Sequence, residues 1–183
     1  GAMMHPCKEV EYKFEGMVGK RIKANIDNWI KRAPEDNPGL LQMFALRDTQ
    51  PRLKLLRWSG EFVGKYLTSG ILAMRMSDDP GLEQTISQVT REMTELQTED
   101  GYLGPFPKDE RLRGQSDLWN EGLWNWDLWG HYHAIYALLL WNEDTGDQKA
   151  LEAAVKAADL ICEKYLNSDL RVVDAGSPDK NFA

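Results

Sequence analysis

Cysteine, histidine and strand-forming runs are all scarce in this chain of 183 residues. There are only two cysteines, Cys7 and Cys162, far apart and in no metal or redox spacing. That excludes a disulfide scaffold, and two unrelated reduced thiols are expected. Basic charge is also short: a net charge of -7 and a pI near 5.0 leave nothing to displace counterions from a phosphate backbone, so no nucleic-acid partner is expected. The longest uninterrupted apolar run is Ala134 to Trp141, far short of the roughly 20 residues that span a bilayer. No membrane partner follows, and a soluble protein of a bacterial-type cytoplasm or periplasm is the expectation. Only "RVVDAG" near the end carries a strand signal, too little for a sheet. Asp-rich diphosphate motifs of terpenoid-type toroids are missing from the helices; the Asp78-Asp79 pair falls in a turn.

What is abundant is helix. "VGKRIKANIDNWIKRA" sets Val18, Ile22, Ile26, Trp29 and Ile30 on one stripe, with Pro34 as its stop. "GEFVGKYLTSGILAMRM" is apolar on most sides and ends at Ser77-Asp78-Asp79-Pro80. "GLEQTISQVTREMTELQ" aligns Leu82, Ile86, Val89, Met93 and Leu96 opposite a charged face. A fourth helix runs from near Asp127 to about Glu143. A fifth, "DQKALEAAVKAADLICEKYL", puts Leu151, Val155, Ala158 and Ile161-Cys162 inward.

The order matters more than the count. A helix apolar nearly all round is followed by a short Asp-containing turn and an amphipathic helix, and the unit recurs after about 68 residues, with Asp144-Thr145-Gly146-Asp147 as its turn. A helix apolar all round needs cover on several sides, whereas its partner needs it on one. The pair therefore reads as inner and outer helices of an α/α toroid. The fold expected is all-α, a partial (α/α)6 toroid or barrel with little or no β. A closed ring of six such hairpins takes roughly 350 residues at this repeat length, about twice the chain. The opening "GAM" reads as a cloning remnant, so residues 1–13 are taken as tag and lead-in. Residues 14–183 are taken as the N-terminal half of the barrel domain, truncated or clipped at its C-terminal end.

Between the hairpins lies "TEDGYLGPFPKDERLRGQSDLWNEGLWNWDLWGHYH", with Trp119, Trp124, Trp126 and Trp129 close together. Indole offers a flat apolar face and one donor, which suits the C–H faces of sugar rings. Plugging one end of the toroid and docking another protein are the competing uses. Two of the chain's three histidines, His131 and His133, follow at once. Residues two apart on a helix point about 200° away from each other, so they cannot share a metal, and no metal site is expected here. One must face the toroid's hollow and the other the flanking layer.

The stretches "WSGEFVGKYL", "QTEDGYLG" and "WGHYHAIYALLLWNEDTGD" together resemble the N-terminal half of the β-L-arabinofuranosidase-like glycosidases, glycoside hydrolase family 127 and relatives. The resemblance runs from Phe14 onward and implies an (α/α)6 barrel. It further implies exo-acting, retaining hydrolysis of arabinofuranosides or related plant-polysaccharide sugars. In that family a zinc-held cysteine thiolate is the nucleophile and a glutamate the acid/base, all in the barrel's second half. Cys7 and Cys162 match neither, so no cofactor is assigned to this chain, and zinc is implied only for the missing half. The family's inner-helix histidine, counted back from Thr145-Gly146, falls on His133 better than on His131. "DGYLG" resembles the loop at the barrel mouth, which nominates Asp100 and Tyr102 as pocket or loop-shaping residues. Glu61 and Lys65, in "GEFVGK", pair with each other or reach the cavity. The candidate substrate-binding set is therefore His133, His131, Trp126, Asp127, Asp100, Tyr102 and Glu61. The expected function is half the substrate pocket of a glycoside hydrolase, its partners a glycoside or oligosaccharide and the rest of its own barrel. The alternative is a non-catalytic helical carbohydrate-binding or scaffold module.

Overall fold

Asp79 and Asp147 open two long helices in the same way. Asp79 Oδ1 accepts from the amides of Gly81 and Leu82 at 2.9 and 3.0 Å. Asp147 Oδ1 accepts from Lys149 and Ala150 at 2.9 and 3.3 Å. Each satisfies orphan donors of a first turn, which is what a capping aspartate does. Pro80, which has no amide hydrogen to lose, takes the first helical position after Asp79. The computed structural model describes residues 13–113, 126–166 and 168–175, and these caps start two of its four long helices.

The architecture is two consecutive hairpins. Inner helix α4 (Glu61–Met74) pairs with outer helix α5 (Pro80–Glu95), and inner α6 (Asp127–Thr145) with outer α7 (Gln148–Leu166). Contacts run α4 to α6, α4 to α5, α6 to α7 and α5 to α7, so the hairpins lie side by side in two layers. Leu82, Ile86, Val89 and Met93 of α5 are buried against Val63, Leu67 and Ile71 of α4 and Leu138 of α6. Each such side chain removed from water contributes about 1.5–3 kcal/mol. α6 ends where Gly146 takes φ 75°, a left-handed cap that a Cβ would disfavour. Trp141 Nε1 donates to Asp147 Oδ2 at 3.1 Å, pinning the turn to the inner helix. The fold is all-α, with no strand among the described residues. No helix among them is long and apolar enough to cross a membrane.

Three sequence expectations are corrected. The first helix does not run on one stripe to Pro34. It passes from α1 (Gly16–Asn25) into a π-helical turn, Ile26–Ile30, closed by Lys31 N donating to Ile26 O at 3.0 Å. A wider turn brings Ile26 and Ile30 into register. Both are buried, while Val18 and Trp29 are swung out to 56% and 63% exposure. Pro34 does not end a helix but sits in the first turn of α2 (Ala33–Asp36), which leads to α3 (Gly39–Ala45). On α7 the inward face is alanine, at 150, 153, 154 and 157, while Val155 and Cys162 are exposed. Small side chains let α7 approach α6 closely, so the seam follows the alanines rather than the larger apolar residues. Finally, within "RVVDAG" the residues Val172–Ala175 form the helical turn α8, not a strand.

Candidate functional site

The two histidines of α6 part company as the helical period demands. His131 is fully buried. Its Nδ1 lies 2.9 Å from the Asp127 carbonyl, and its Nε2 accepts the Leu103 amide at 3.1 Å. An acceptor at Nε2 places the hydrogen on Nδ1, which donates to the carbonyl. Both ring nitrogens are thus committed within the chain, and neither remains for a ligand.

What His131 holds is the "DGYLG" loop. Tyr102, also fully buried, donates its hydroxyl to the Asp127 carboxylate at 3.0–3.1 Å and accepts the Phe106 amide at 3.0 Å. Burial and the Asp127 carboxylate push the Tyr102 phenol well above its ordinary pKa, so it stays a donor. Asp127 also accepts the Leu112 amide at 2.8 Å. Asp100 is exposed: it accepts from the Thr98 hydroxyl and the Tyr102 amide, shaping the turn, and faces Arg111 at 3.7 Å. Those hydrogen bonds hold its carboxyl below the usual carboxylate range, the Thr98 bond most of all. Gly101 follows at φ 92°, and a Cβ there would meet the Lys156 carbonyl of α7 at 2.4 Å.

Two arginines complete this knot, and sequence reasoning missed both. Arg47, buried, donates to the carbonyls of Gly104 (2.6 Å) and Leu96. The Arg111 guanidinium lies over the Tyr102 ring, 4.4 Å from its centroid. Neither arginine sits in a periodic pattern, and their partners are distant in sequence, so no local signal announced them. Tyr102, Asp127 and His131 are therefore brought together, as the inner wall of the loop rather than an open surface.

His133 is elsewhere. It lies half-buried on the other flank of α6, its ring meeting Trp129 edge-on at 4.6 Å and Tyr132 at 5.0 Å. Its Nε2 is shielded from water and has no hydrogen-bond partner. Burial chiefly, and then the Lys65 charge, lower its pKa, while Glu61 opposes them. The imidazole is therefore neutral at pH 7. Lys65, on α4, reaches across: its ammonium pairs with Glu61 Oε1 at 2.7 Å and sits 5.8 Å from the Trp129 ring centroid. Trp129, Tyr132 and Tyr136 stack in sequence along α6, at 5.2 and 6.1 Å. With exposed Phe62, they give the inner helices an aromatic face turned away from the outer layer. Trp126 stands at the head of α6, its amide donating to Arg57 O at 2.7 Å and its ring tilted 5.8 Å from Trp58. Trp119 and Trp124 lie outside the described residues.

Polar groups that can grip a hydroxyl, set among aromatic faces and edges, are the ingredients of a sugar site. Cavities of about 290 and 410 Å³ border α2–α3 and the α4–α5 turn instead, and neither is lined by α6. Among the described residues no three His, Cys, Asp or Glu side chains could hold a metal ion.

Residues 19–173 match the family model of the β-L-arabinofuranosidase GH127 catalytic domain. Among solved structures, a GH127 β-L-arabinofuranosidase from Geobacillus stearothermophilus T6 superposes with a TM-score of 0.62 at 19% identity, over 84% of this chain and 25% of that one. A second, described as a GH127 β-arabinofuranosidase, gives 0.63 at 18% identity, over 85% and 26%. The chain thus spans about a quarter of the length of the solved structures it matches. No curated protein matches it. At these identities the superpositions speak for the fold. The family model, matched over most of the chain, speaks for the family: this chain belongs to the β-L-arabinofuranosidase GH127 family, within its catalytic domain.

Proposed function

We propose that this chain supplies one wall of the sugar-binding site of a glycoside hydrolase acting on arabinofuranosides or related plant-polysaccharide sugars. The observation that carries the reading is His133: a neutral imidazole whose buried Nε2 is unpartnered, framed by Trp129 and Tyr132 on the open face of an inner helix. A buried polar atom without a partner costs about 1–3 kcal/mol, and a sugar hydroxyl that displaces the groups now covering Nε2 offsets that cost. The nucleophile, the acid/base and any zinc belong to the remainder of the barrel domain, which is also this chain's partner. Tyr102, Asp127 and His131 hold the mouth loop against α6 and act on the sugar only through that placement.

Orientation accelerates a reaction only when the reacting groups are present. The chain alone therefore turns over no substrate. In the complete enzyme, His133→Ala lowers kcat/KM on 4-nitrophenyl β-L-arabinofuranoside at least about tenfold, the scale of one lost hydrogen bond, without unfolding the protein. Unchanged turnover in that variant overturns the assignment of His133. A complete protein that binds arabinose yet hydrolyses no arabinofuranoside is a carbohydrate-binding module instead.

A further inference from the structure

Among the described residues other than glycine, only Leu112 has a left-handed backbone, at φ 52°, and its side chain is buried. A bulky L side chain crowds its own backbone in that region, which glycine, asparagine or aspartate usually occupies. Leucine stays there only where its surroundings hold it. Three backbone groups of this turn are held from outside it. The Leu112 amide donates to Asp127 Oδ2 at 2.8 Å, at the head of α6. The Leu112 carbonyl accepts the Tyr165 hydroxyl from the last turn of α7. One residue earlier, the Arg111 carbonyl accepts Lys164 Nζ at 2.7 Å. Burial, and then the Asp127 charge, push the Tyr165 phenol up to about 12, so it remains a donor. Tyr102, Phe106, Leu112 and Tyr165 also form an apolar cluster of their own, with Leu128 of α6 and Ile161 of α7 packed against it. The left-handed turn thus ties the mouth loop to the inner helix through one group and to the outer helix through the other.

We propose that Tyr165 and Lys164 of the outer helix are positioning residues for the sugar site: they hold Leu112 in its left-handed turn, and Leu112 fixes Asp127 and the mouth loop beside the His133 face. The inference rests on reading that face as one wall of the sugar site and adds a part for the outer helix behind it. Released from Tyr165, Leu112 relaxes to negative φ and its amide leaves Asp127. The carboxylate then loses one of the donors that fix it. Asp127 opens α6, and His133 lies less than two turns further along. Each of these contacts is made within the chain, whatever the remainder of the barrel adds. Loop and wall meet a sugar in ground state and transition state alike, so displacing them weakens binding more than chemistry.

The test uses the complete enzyme, well below the Tm of every variant. Tyr165→Phe removes one hydroxyl and keeps the ring. Leu112→Ala and Leu112→Gly empty the same space, but only glycine adopts φ 52° without strain. On 4-nitrophenyl β-L-arabinofuranoside, Tyr165→Phe raises KM about 3–10-fold, the scale of one neutral hydrogen bond, and leaves kcat unchanged. Lys164→Met moves KM in the same direction. Leu112→Gly keeps KM nearer to wild type than Leu112→Ala does, the reverse of what lost packing alone would give. Hydrogen exchange on the peptide 103–113, read by mass spectrometry, is faster in Tyr165→Phe than in wild type. Unchanged KM in Tyr165→Phe, an effect confined to kcat, or alanine outperforming glycine at 112 overturns the proposal. So does a raised KM with unaltered exchange, which would put Tyr165 on the sugar itself. If the wild type hydrolyses nothing, the hydrolase reading falls, and calorimetric titration with L-arabinose still decides: Tyr165→Phe must weaken binding about 3–10-fold. A wild type that neither hydrolyses nor binds overturns both.

Discussion

Gly64 of α4 lies against the backbone of His133 on α6: a Cβ at 64 would stand 2.4 Å from the His133 carbonyl carbon and 2.6 Å from its oxygen. The neighbouring contact is of the same kind, since a Cβ at Gly130 would come within 3.0 Å of the Gly60 carbonyl carbon. The two inner helices thus touch backbone to backbone at their N-terminal ends, where Glu61, Lys65, Trp129 and His133 gather. The spacing of the candidate site depends on glycine at this crossing.

Gly64→Ala makes that dependence measurable because two effects oppose each other. Alanine favours a helix over glycine by about 1 kcal/mol. Overpacking against rigid backbone costs about 1–3 kcal/mol, more where nothing can yield. Here the neighbour is a main chain, so the clash wins and Tm falls by several degrees in calorimetry, at about 2–4 °C per kcal/mol for a chain this long. A higher Tm would show that α4 and α6 do not meet at this residue.

The histidine pair gives a second contrast. His131→Ala strands the buried Leu103 amide and frees the Asp127 carbonyl, and it leaves a void where the ring was fully buried. The sum is about 2–5 kcal/mol. His133→Ala removes a half-buried ring whose Nε2 made no bond and costs about 1 kcal/mol or less. Urea unfolding of the two variants measures both. The reverse order would place the structural histidine at 133.

How much of this was legible in the sequence varies by element, for physical reasons. The α5 stripe could be read because one face is apolar and the other charged, and buried Leu82, Ile86, Val89 and Met93 follow it. The turns could be read because Asp, Pro and Gly have fixed conformational roles at helix ends. The π turn at Ile26–Ile30 could not, since one extra residue in a turn leaves no mark on composition. The alanine seam of α7 was hidden because periodicity weighs large side chains, while close helix contact selects small ones. At the site, the helical period alone separated His131 from His133. Which of them is tied down depends on the Leu103 amide, brought in by a loop far away in sequence. The Tyr102–Asp127 bond and the Arg47 and Arg111 contacts are likewise long-range, and no local pattern encodes them.

The titration of His133 tests the electrostatics of the face directly. Burial and Lys65 lower its pKa below the ordinary 6.5, with Glu61 in opposition. For a base, a depressed folded value means that the unfolded chain binds the proton more readily. Stability from this group is therefore complete above pH 6.5 and declines as pH falls below it. NMR titration of the imidazole, assigned by loss of the signal in His133→Ala, finds a midpoint below 6.5. Lys65→Met raises that midpoint, because it removes the repelling cation and leaves the Glu61 carboxylate unneutralised beside the ring. A wild-type midpoint at or above 6.5 would mean that the ring is not buried as described, and a drop in Lys65→Met would mean that the Lys65–Glu61 pair does not lie against it.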